Sequence, residues 1–359
     1  MFRPVLLVVA VVLGSVLVTP AVADASVTWD GSSLRQVYQP TGAPDAQGRR
    51  LYYGYAPSAI EDGNTLRFWT CHNSQSGVIR DHIYYTKITA GSTATDTSVL
   101  AGSASGWDSF HVCDPSVIRV NAVYNGVNYQ YAMFYLGNDV DASAHNQVGV
   151  AYANSLDGPW VRYPLPLITF SSSDTGQWGA GQPSATTIDP AQGTALLFWT
   201  EGYGSTKTYR AMVDLDGPAG PVVGSQLEVT TSGLVGTDGS QDWLNNADFA
   251  YDPSRDRFYV VREQHPYPTD NPDYIGSTLQ VVSIAGASIW NGGGTWQVEN
   301  AIGPALTGFG RNHNAGILRS PYGTVPDPTR LSVLFTTACG NCGDSLWQYK
   351  LSRIDGALT

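Results

Sequence analysis

The feature that most limits what this chain can fold into is a segment that returns five times along it. The clearest copy covers residues 111–160, with CDPSVI at 113–118, QYAMFYLGND at 130–139, VGVAYANS at 148–155 and DGPW at 157–160. Runs rich in β-branched and aromatic residues, separated by turn residues, predict consecutive antiparallel strands. Proline at the head of the first run costs little, because a strand end can do without one N–H. Further copies begin at residues 55–60, 181–186, 246–251 and 314–318, each followed by a second apolar run such as LRFWTC or LLFWTE. The matched positions Pro57, Pro115, Pro183, Ala247 and Ala315 lie 58, 68, 64 and 68 residues apart, room for three or four strands each. No copy carries an amphipathic helical period. Small antiparallel sheets repeated radially make a β-propeller. The expectation is therefore an all-β, five-bladed β-propeller, a single domain over residues 24–359, with the segment at 26–38 closing the ring through the last blade.

The first 23 residues read as a signal peptide. Arg3 supplies the positive end, residues 5–18 are apolar but short for a membrane span, and Ala21-Val22-Ala23 is a small-x-small cleavage site. A secreted, extracellular protein is expected, with no membrane association after cleavage. Export favours disulfides for the four cysteines. Cys339 and Cys342 form a C-x-x-C in a Gly-rich loop with no βαβ pattern around it, so it reads as a loop staple. Cys71 then pairs with Cys113. A net charge of −11 and the lack of a basic patch argue against nucleic acid.

In a propeller the start of each inner strand and the end of the second strand face the same end of the ring. That rule predicts Ala56, Asp114, Gln182, Asp248 and His313 near the axis, with His72, Asn73, Asn138, Asp139, Glu201 and Glu263 one layer out. Asn246, at the head of the fourth copy, joins Gln182 and His313 as a substrate contact. Paired carboxylates across such a pocket suit glycoside hydrolysis, one protonating the leaving oxygen and one activating water or attacking carbon. Asp114, Asp248, Glu201 and Glu263 are the catalytic candidates. Asp248 stands out because it interrupts an apolar run, where a carboxylate is costly unless paired or functional. Asp114, before a proline, also reads as a turn cap, and the glutamates as solvated strand ends. Trp69 and Trp199 are the principal sugar platforms among abundant tryptophans, with Trp107, Trp178 and Trp243. No G-x-S-x-G, H-E-x-x-H or phosphate-cradling loop occurs in a usable context.

The chain resembles the five-bladed β-propeller glycoside hydrolases, the arabinanase, β-xylosidase and arabinofuranosidase group typified by glycoside hydrolase family 43. The pieces that carry the resemblance are residues 113–118, residues 149–160 (GVAYANSLDGPW) and residues 308–316 (GFGRNHNAG). It implies a secreted glycosidase acting on plant or microbial polysaccharide, a monomer, with an oligo- or polysaccharide as partner. It implies no required cofactor, but a structural Ca²⁺ at the axis near His313. The family pattern places an Asp on the first blade, an Asp on the second and a Glu on the third. Here Asp114 matches the second, while Ala56 or Pro57 stands at the first-blade position and Gln182 at the third. Two alternatives stay open: a carbohydrate-binding propeller without activity, and a polysaccharide lyase.

Overall fold

The computed structural model describes residues 26–40, 44–73, 75–90, 92, 94–169, 176–203, 205–217, 219–343 and 345–359. The expected signal peptide lies outside these residues. The chain enters through β1 (Val27–Tyr38) and then lays down β2 (Gly54–Asp62), β3 (Thr65–Asn73), β4 (Asp81–Thr89) and β5 (Thr95–Leu100) as one antiparallel sheet. The second sheet is β6 (His111–Tyr124), β7 (Val127–Asn138), β8 (Gln147–Ala153) and β9 (Val161–Arg162). The third is β10 (Gly179–Asp189), β11 (Thr194–Gly202) and β12 (Thr206–Asp214), edged by β13 (Val222–Val223) and β14 (Leu227–Glu228). The fourth is β15 (Asp248–Asp252), β16 (Arg257–Glu263), β17 (Leu279–Ala285) and β18 (Gln297–Ile302). The last comprises β19 (Arg311–Arg319), β20 (Arg330–Ala338) and β21 (Lys350–Leu358), and β1 pairs antiparallel with β21 as its outer strand. Short helices α1 (Gly286–Asn291) and α2 (Pro304–Thr307) flank β18. Among the described residues no helix is long and apolar enough to cross a membrane.

The first strands β2, β6, β10, β15 and β19 pack in succession, and β19 returns to pair in parallel with β2. The five sheets therefore follow one another round a closed circuit, as the repeats require of a propeller. Apolar side chains fill the space between neighbouring sheets. Trp199 packs with Phe134 and Val150 between the second and third sheets, and Tyr259 with Val333 and Phe335 between the fourth and fifth. Tryptophans 69 and 199 are fully buried in this core. They are wedges between sheets, not sugar platforms, which corrects the expectation from their side-chain type.

One device recurs at the head of every inner strand. Ala56, Asp114, Gln182, Asn246 and Asn314 have φ of 50°, 46°, 52°, 46° and 41°, all in the left-handed region. In four of the sheets the inner pair slips register at this point, between Tyr55 and Ser58, Cys113 and Ser116, Gly181 and Ser184, and His313 and Gly316. Each slip is a β-bulge, which bends a strand and re-aims a side chain. In three copies the next residue is proline, which has no N–H to give to the ladder. The left-handed backbone is strained for these residues, and such strain gathers at functional positions.

Two residues further on stand Ser58, Ser116, Ser184 and Asp248, and each accepts a hydrogen bond from the next sheet's backbone. Val117 N–H donates to Ser58 Oγ (3.1 Å), Ala185 N–H to Ser116 Oγ (3.0 Å), Phe249 N–H to Ser184 Oγ (3.0 Å) and Ile317 N–H to Asp248 Oδ2 (2.8 Å). The fifth residue in the series is Gly316, and a Cβ there would lie 2.0 Å from the Pro57 carbonyl oxygen. The Arg319 guanidinium fills the centre, donating to Ser58, Ser116 and Ser184 and to the carbonyls of Ala185 and Phe249.

Candidate active site

The five left-handed residues ring a funnel whose floor is reached by Asp248. The funnel opens into a cleft of about 460 Å³. A side lobe of about 220 Å³ shares Tyr55, Asp81, Tyr274 and Asn314 with it. Among the described residues the carboxylates on the cleft wall are Asp81, Asp114 and Asp141, and no lysine or arginine lines it.

Asp114 sits on the second sheet's bulge, next to the Cys71–Cys113 disulfide that ties the first sheet to the second. Its N–H points at Cys71 Sγ (2.9 Å) and its Oδ1 lies 3.4 Å from Cys113 Sγ. Burial pushes its carboxyl up to about 7, and the nearby Asp81 charge pushes the same way, against a hydrogen bond from the Gln182 backbone. A low-dielectric wall and a like charge both disfavour the ionised form. Asp114 is thus a carboxylic acid that holds its proton up to neutral pH.

Asp81 opens β4, so it arrives on the same face as the heads of the inner strands. The hydroxyls of Tyr53 and Tyr55 both donate to its carboxylate, the latter at 2.8 Å. Its own N–H donates to His111 Nδ1 (2.9 Å). Sequence reasoning missed Asp81 because it weighed only the first two strands of each copy. The third strand also starts on the mouth face, and the charged triplet Arg80-Asp81-His82 at that start was the available signal.

Asp248 carries the largest correction. It is not one of the left-handed rim residues; Asn246 is. Its Oδ1 accepts from Ser184 Oγ (2.8 Å) and faces Arg319 Nη1 (3.3 Å), while Oδ2 holds the Ile317 N–H. Burial raises its pKa and Arg319 opposes that. It does in the fourth sheet what a serine does in the first three, with the added charge of a partner for Arg319.

Glu263 is 1% exposed and lies behind the rim rather than on the cleft wall. It accepts from Asn246 Nδ2 (2.8 Å), from Asn314 N–H (2.9 Å) and from the Tyr267 hydroxyl, which makes it a holder of two rim residues. Glu201 is further out, bound by the Trp199 indole N–H at 2.8 Å, and does not line the cleft. Neither glutamate is placed to meet a ligand. Gln182 and Asn246 line the cleft and are joined through Gln182 Nε2 to Asn246 Oδ1 (2.5 Å). Trp178 lines it too.

His313 lies on the side lobe, 2% exposed, one residue before the rim position that Asn314 occupies. Its Nδ1 is 2.8 Å from Asn314 Oδ1, its ring meets Tyr349 edge-on at 4.8 Å, and Nε2 has no hydrogen-bond partner among the described residues. Burial pushes it down to about 4, so it is neutral. Calcium takes about six to eight oxygen ligands, carboxylates prominent among them. Among the described residues the one cluster of three acidic, histidine or cysteine side chains is Cys71, Cys113 and Asp114, and its two sulfurs are joined. The axis itself is occupied by a guanidinium. These donors do not fit the calcium expected at the axis.

No protein-family profile matches the chain. No curated protein sequence matches it either. Solved structures do. A family 117 glycoside hydrolase produced by the marine bacterium Zobellia galactanivorans aligns with a TM-score of 0.57 at 14% identity, over 92% of this chain and 90% of that one. A family 62 glycoside hydrolase in complex with xylotriose gives 0.57 at 11% identity, over 92% and 97%. A thermostable family 43 glycoside hydrolase gives 0.54 at 16% identity, over 85% and 90%. The chain therefore has the β-propeller fold found in glycoside hydrolases of families 43, 62 and 117.

Proposed function

We propose that the protein is a secreted glycosidase that cleaves O-glycosidic bonds of a neutral oligo- or polysaccharide in the cleft at the head of the inner strands. The observation that carries this reading is the pair Asp81 and Asp114 on one cleft wall, with Asp114 raised to about 7. A carboxyl group that keeps its proton, beside a second carboxyl on the same wall, is what acid–base cleavage of an acetal needs. Asp114 donates its proton to the leaving glycosidic oxygen. Asp81, fixed by two tyrosine hydroxyls, takes a proton from the attacking water or stabilises the positive charge at the anomeric carbon. Gln182, Asn246 and Asn314 present amides to sugar hydroxyls. A wall with three carboxylates and, among the described residues, no lysine or arginine favours a neutral sugar over the uronic acids that a lyase would need.

The test is product chromatography of the exported protein on arabinans, xylans and fructans. Release of sugar by wild type and its loss in both Asp114→Asn and Asp81→Asn is the expected outcome. Turnover that survives both substitutions would overturn the assignment. Ala56 and Gln182, at positions where the resemblance implies acids, favour a second reading as a sugar-binding propeller without activity. Calorimetric binding of an oligosaccharide with no product after long incubation would establish that reading instead.

A further inference from the structure

The C-x-x-C loop packs against the segment between β16 and β17, whose Tyr274 reaches the cleft, and neither has a part in the acid–base pair. We propose that Tyr274 is a fixed stacking platform for a sugar ring of the bound chain, held at the cleft mouth by the Cys339–Cys342 loop and Arg311. This rests on the saccharide reading of the cleft and adds the residue that grips the ring.

Tyr274 lines both the cleft and its side lobe, yet the residue is 61% exposed. An aromatic side chain left this open next to a polar cavity offers one face to a ligand. The CH face of a pyranose or furanose ring is the apolar surface that a tyrosine ring covers.

The segment bearing it is tied down at several points. Arg311, 3% exposed, donates through Nε to the Pro272 carbonyl (3.1 Å) and through Nη2 to the Asp270 carbonyl (3.0 Å) and carboxylate (2.8 Å). From the other side, Asn341 N–H donates to the Asn271 carbonyl (2.7 Å), and Asn271 Nδ2 to the Cys342 carbonyl (3.2 Å). The sequence of the staple follows from this contact. A Cβ at Gly340 would lie 2.7 Å from Arg311 Nη1, so a side chain there would displace the guanidinium. Asn341 has φ of 58°, a left-handed conformation that asparagine tolerates better than most residues. The Cys339–Cys342 disulfide closes this turn around Asn341. A platform that is rigid before the ligand arrives loses little freedom on binding.

The test is calorimetry with arabinotriose and xylotriose on wild type, Tyr274→Ala, Tyr274→Phe and Asn271→Ala, and on the double variant Cys339→Ser with Cys342→Ser. For whichever sugar wild type binds, Tyr274→Ala is expected to raise Kd about three- to tenfold, the scale of one aromatic contact. Tyr274→Phe should keep the affinity, because the ring remains. The cysteine double variant should shift Kd the same way by a smaller factor, and Asn271→Ala, a single exposed contact, covers the case in which the cysteine variant does not fold. Equal affinity in wild type and Tyr274→Ala would overturn the platform while leaving the saccharide reading intact. Wild-type affinity in both brace variants would overturn the bracing role. Failure of wild type to bind any oligosaccharide would overturn the functional reading and this inference together.

Discussion

Asp114 and Asp248 sit near the heads of inner strands in different sheets, both half-buried, and the molecule uses them in opposite ways. Asp248 has a hydroxyl, a backbone N–H and a guanidinium on its two oxygens. Asp114 has a disulfide on one side, the Gln182 backbone on another and the open cleft in front. The offset along the strand separates them. A residue on the bulge points its side chain into the cleft, and a residue two further on points into the ring of hydrogen bonds that binds sheet to sheet. Burial alone therefore says nothing about role. What distinguishes the pair is whether the charged form has been given partners.

The largest expected effect breaks that comparison on the side of chemistry. Asp114→Asn should lower turnover by about two to four orders of magnitude, the range for a lost general acid, while the melting temperature stays close to wild type. Asp248→Ala should do the reverse. It leaves Arg319 buried without its carboxylate, which costs about 3–5 kcal/mol in comparable buried pairs, measured by urea unfolding, while the folded fraction keeps its turnover. Asp248→Ser restores the acceptor used by the first three sheets and should recover part of the lost stability. If Asp248→Ala abolished turnover in protein that is still folded, the division of roles would be wrong.

The pH dependence sharpens the same contrast. Asp114 is active in its protonated form, so turnover should hold below pH 7 and fall as pH rises through about 7, where the acid ionises. Replacing Asp81 by Asn removes the like charge that helps hold the proton. In that variant the Asp114 carboxyl, followed by infrared titration, should ionise at lower pH than in wild type. An unchanged titration would separate the two residues electrostatically and weaken the case for a coupled pair.

How far this could be read from the chain differs from element to element. Alternating and apolar runs with a matched Pro or Ala in each copy were enough to find the sheets, because burial on both faces of a propeller blade leaves its mark on every strand. The same matched positions also contain the rim, since the residue before each of them is Ala56, Asp114, Gln182, Asn246 and Asn314. Asp248 and His313 were drawn into the rim because they are the more chemical residues nearby, although each is out of step with the repeat by one or two positions. A shift of one residue turns a strand side chain to the other face, so residue type could not substitute for position. Asp81 lies in the first sheet and Asp114 in the second, and what brings them together is the packing between sheets, which leaves no spacing signal. The two buried tryptophans show the same limit from the other side: an aromatic ring suited to sugar is equally suited to filling a wedge.

Acid stability is a further test, and it concerns the histidines rather than the carboxylates. Burial holds both His72 and His313 down to about 4, from an ordinary value near 6.5. Between those values the unfolded chain binds a proton that the folded chain refuses, so stability should fall as pH drops from 6.5 towards 4. The loss is bounded at about 3 kcal/mol for each histidine, because a tenfold weaker hold on the proton is worth roughly 1.4 kcal/mol. Urea midpoints measured between pH 7 and pH 4 would show it, and His72→Gln should flatten part of the slope without touching the cleft.

The smallest effect belongs to Glu201, which lies neither at the cleft nor among the hydrogen bonds that hold the rim and join the sheets. Its carboxylate accepts from the Trp199 indole at the partly exposed end of β11. Glu201→Gln keeps an oxygen for that N–H and removes a charge that solvent already screens. Turnover should match wild type and unfolding should move by less than about 0.5 kcal/mol, the usual range for a surface change. A large loss of turnover in this variant would mean that the third sheet supplies the acid after all, as the family pattern implies. The pairing of Asp114 with Asp81 would then give way to one between sheets two and three.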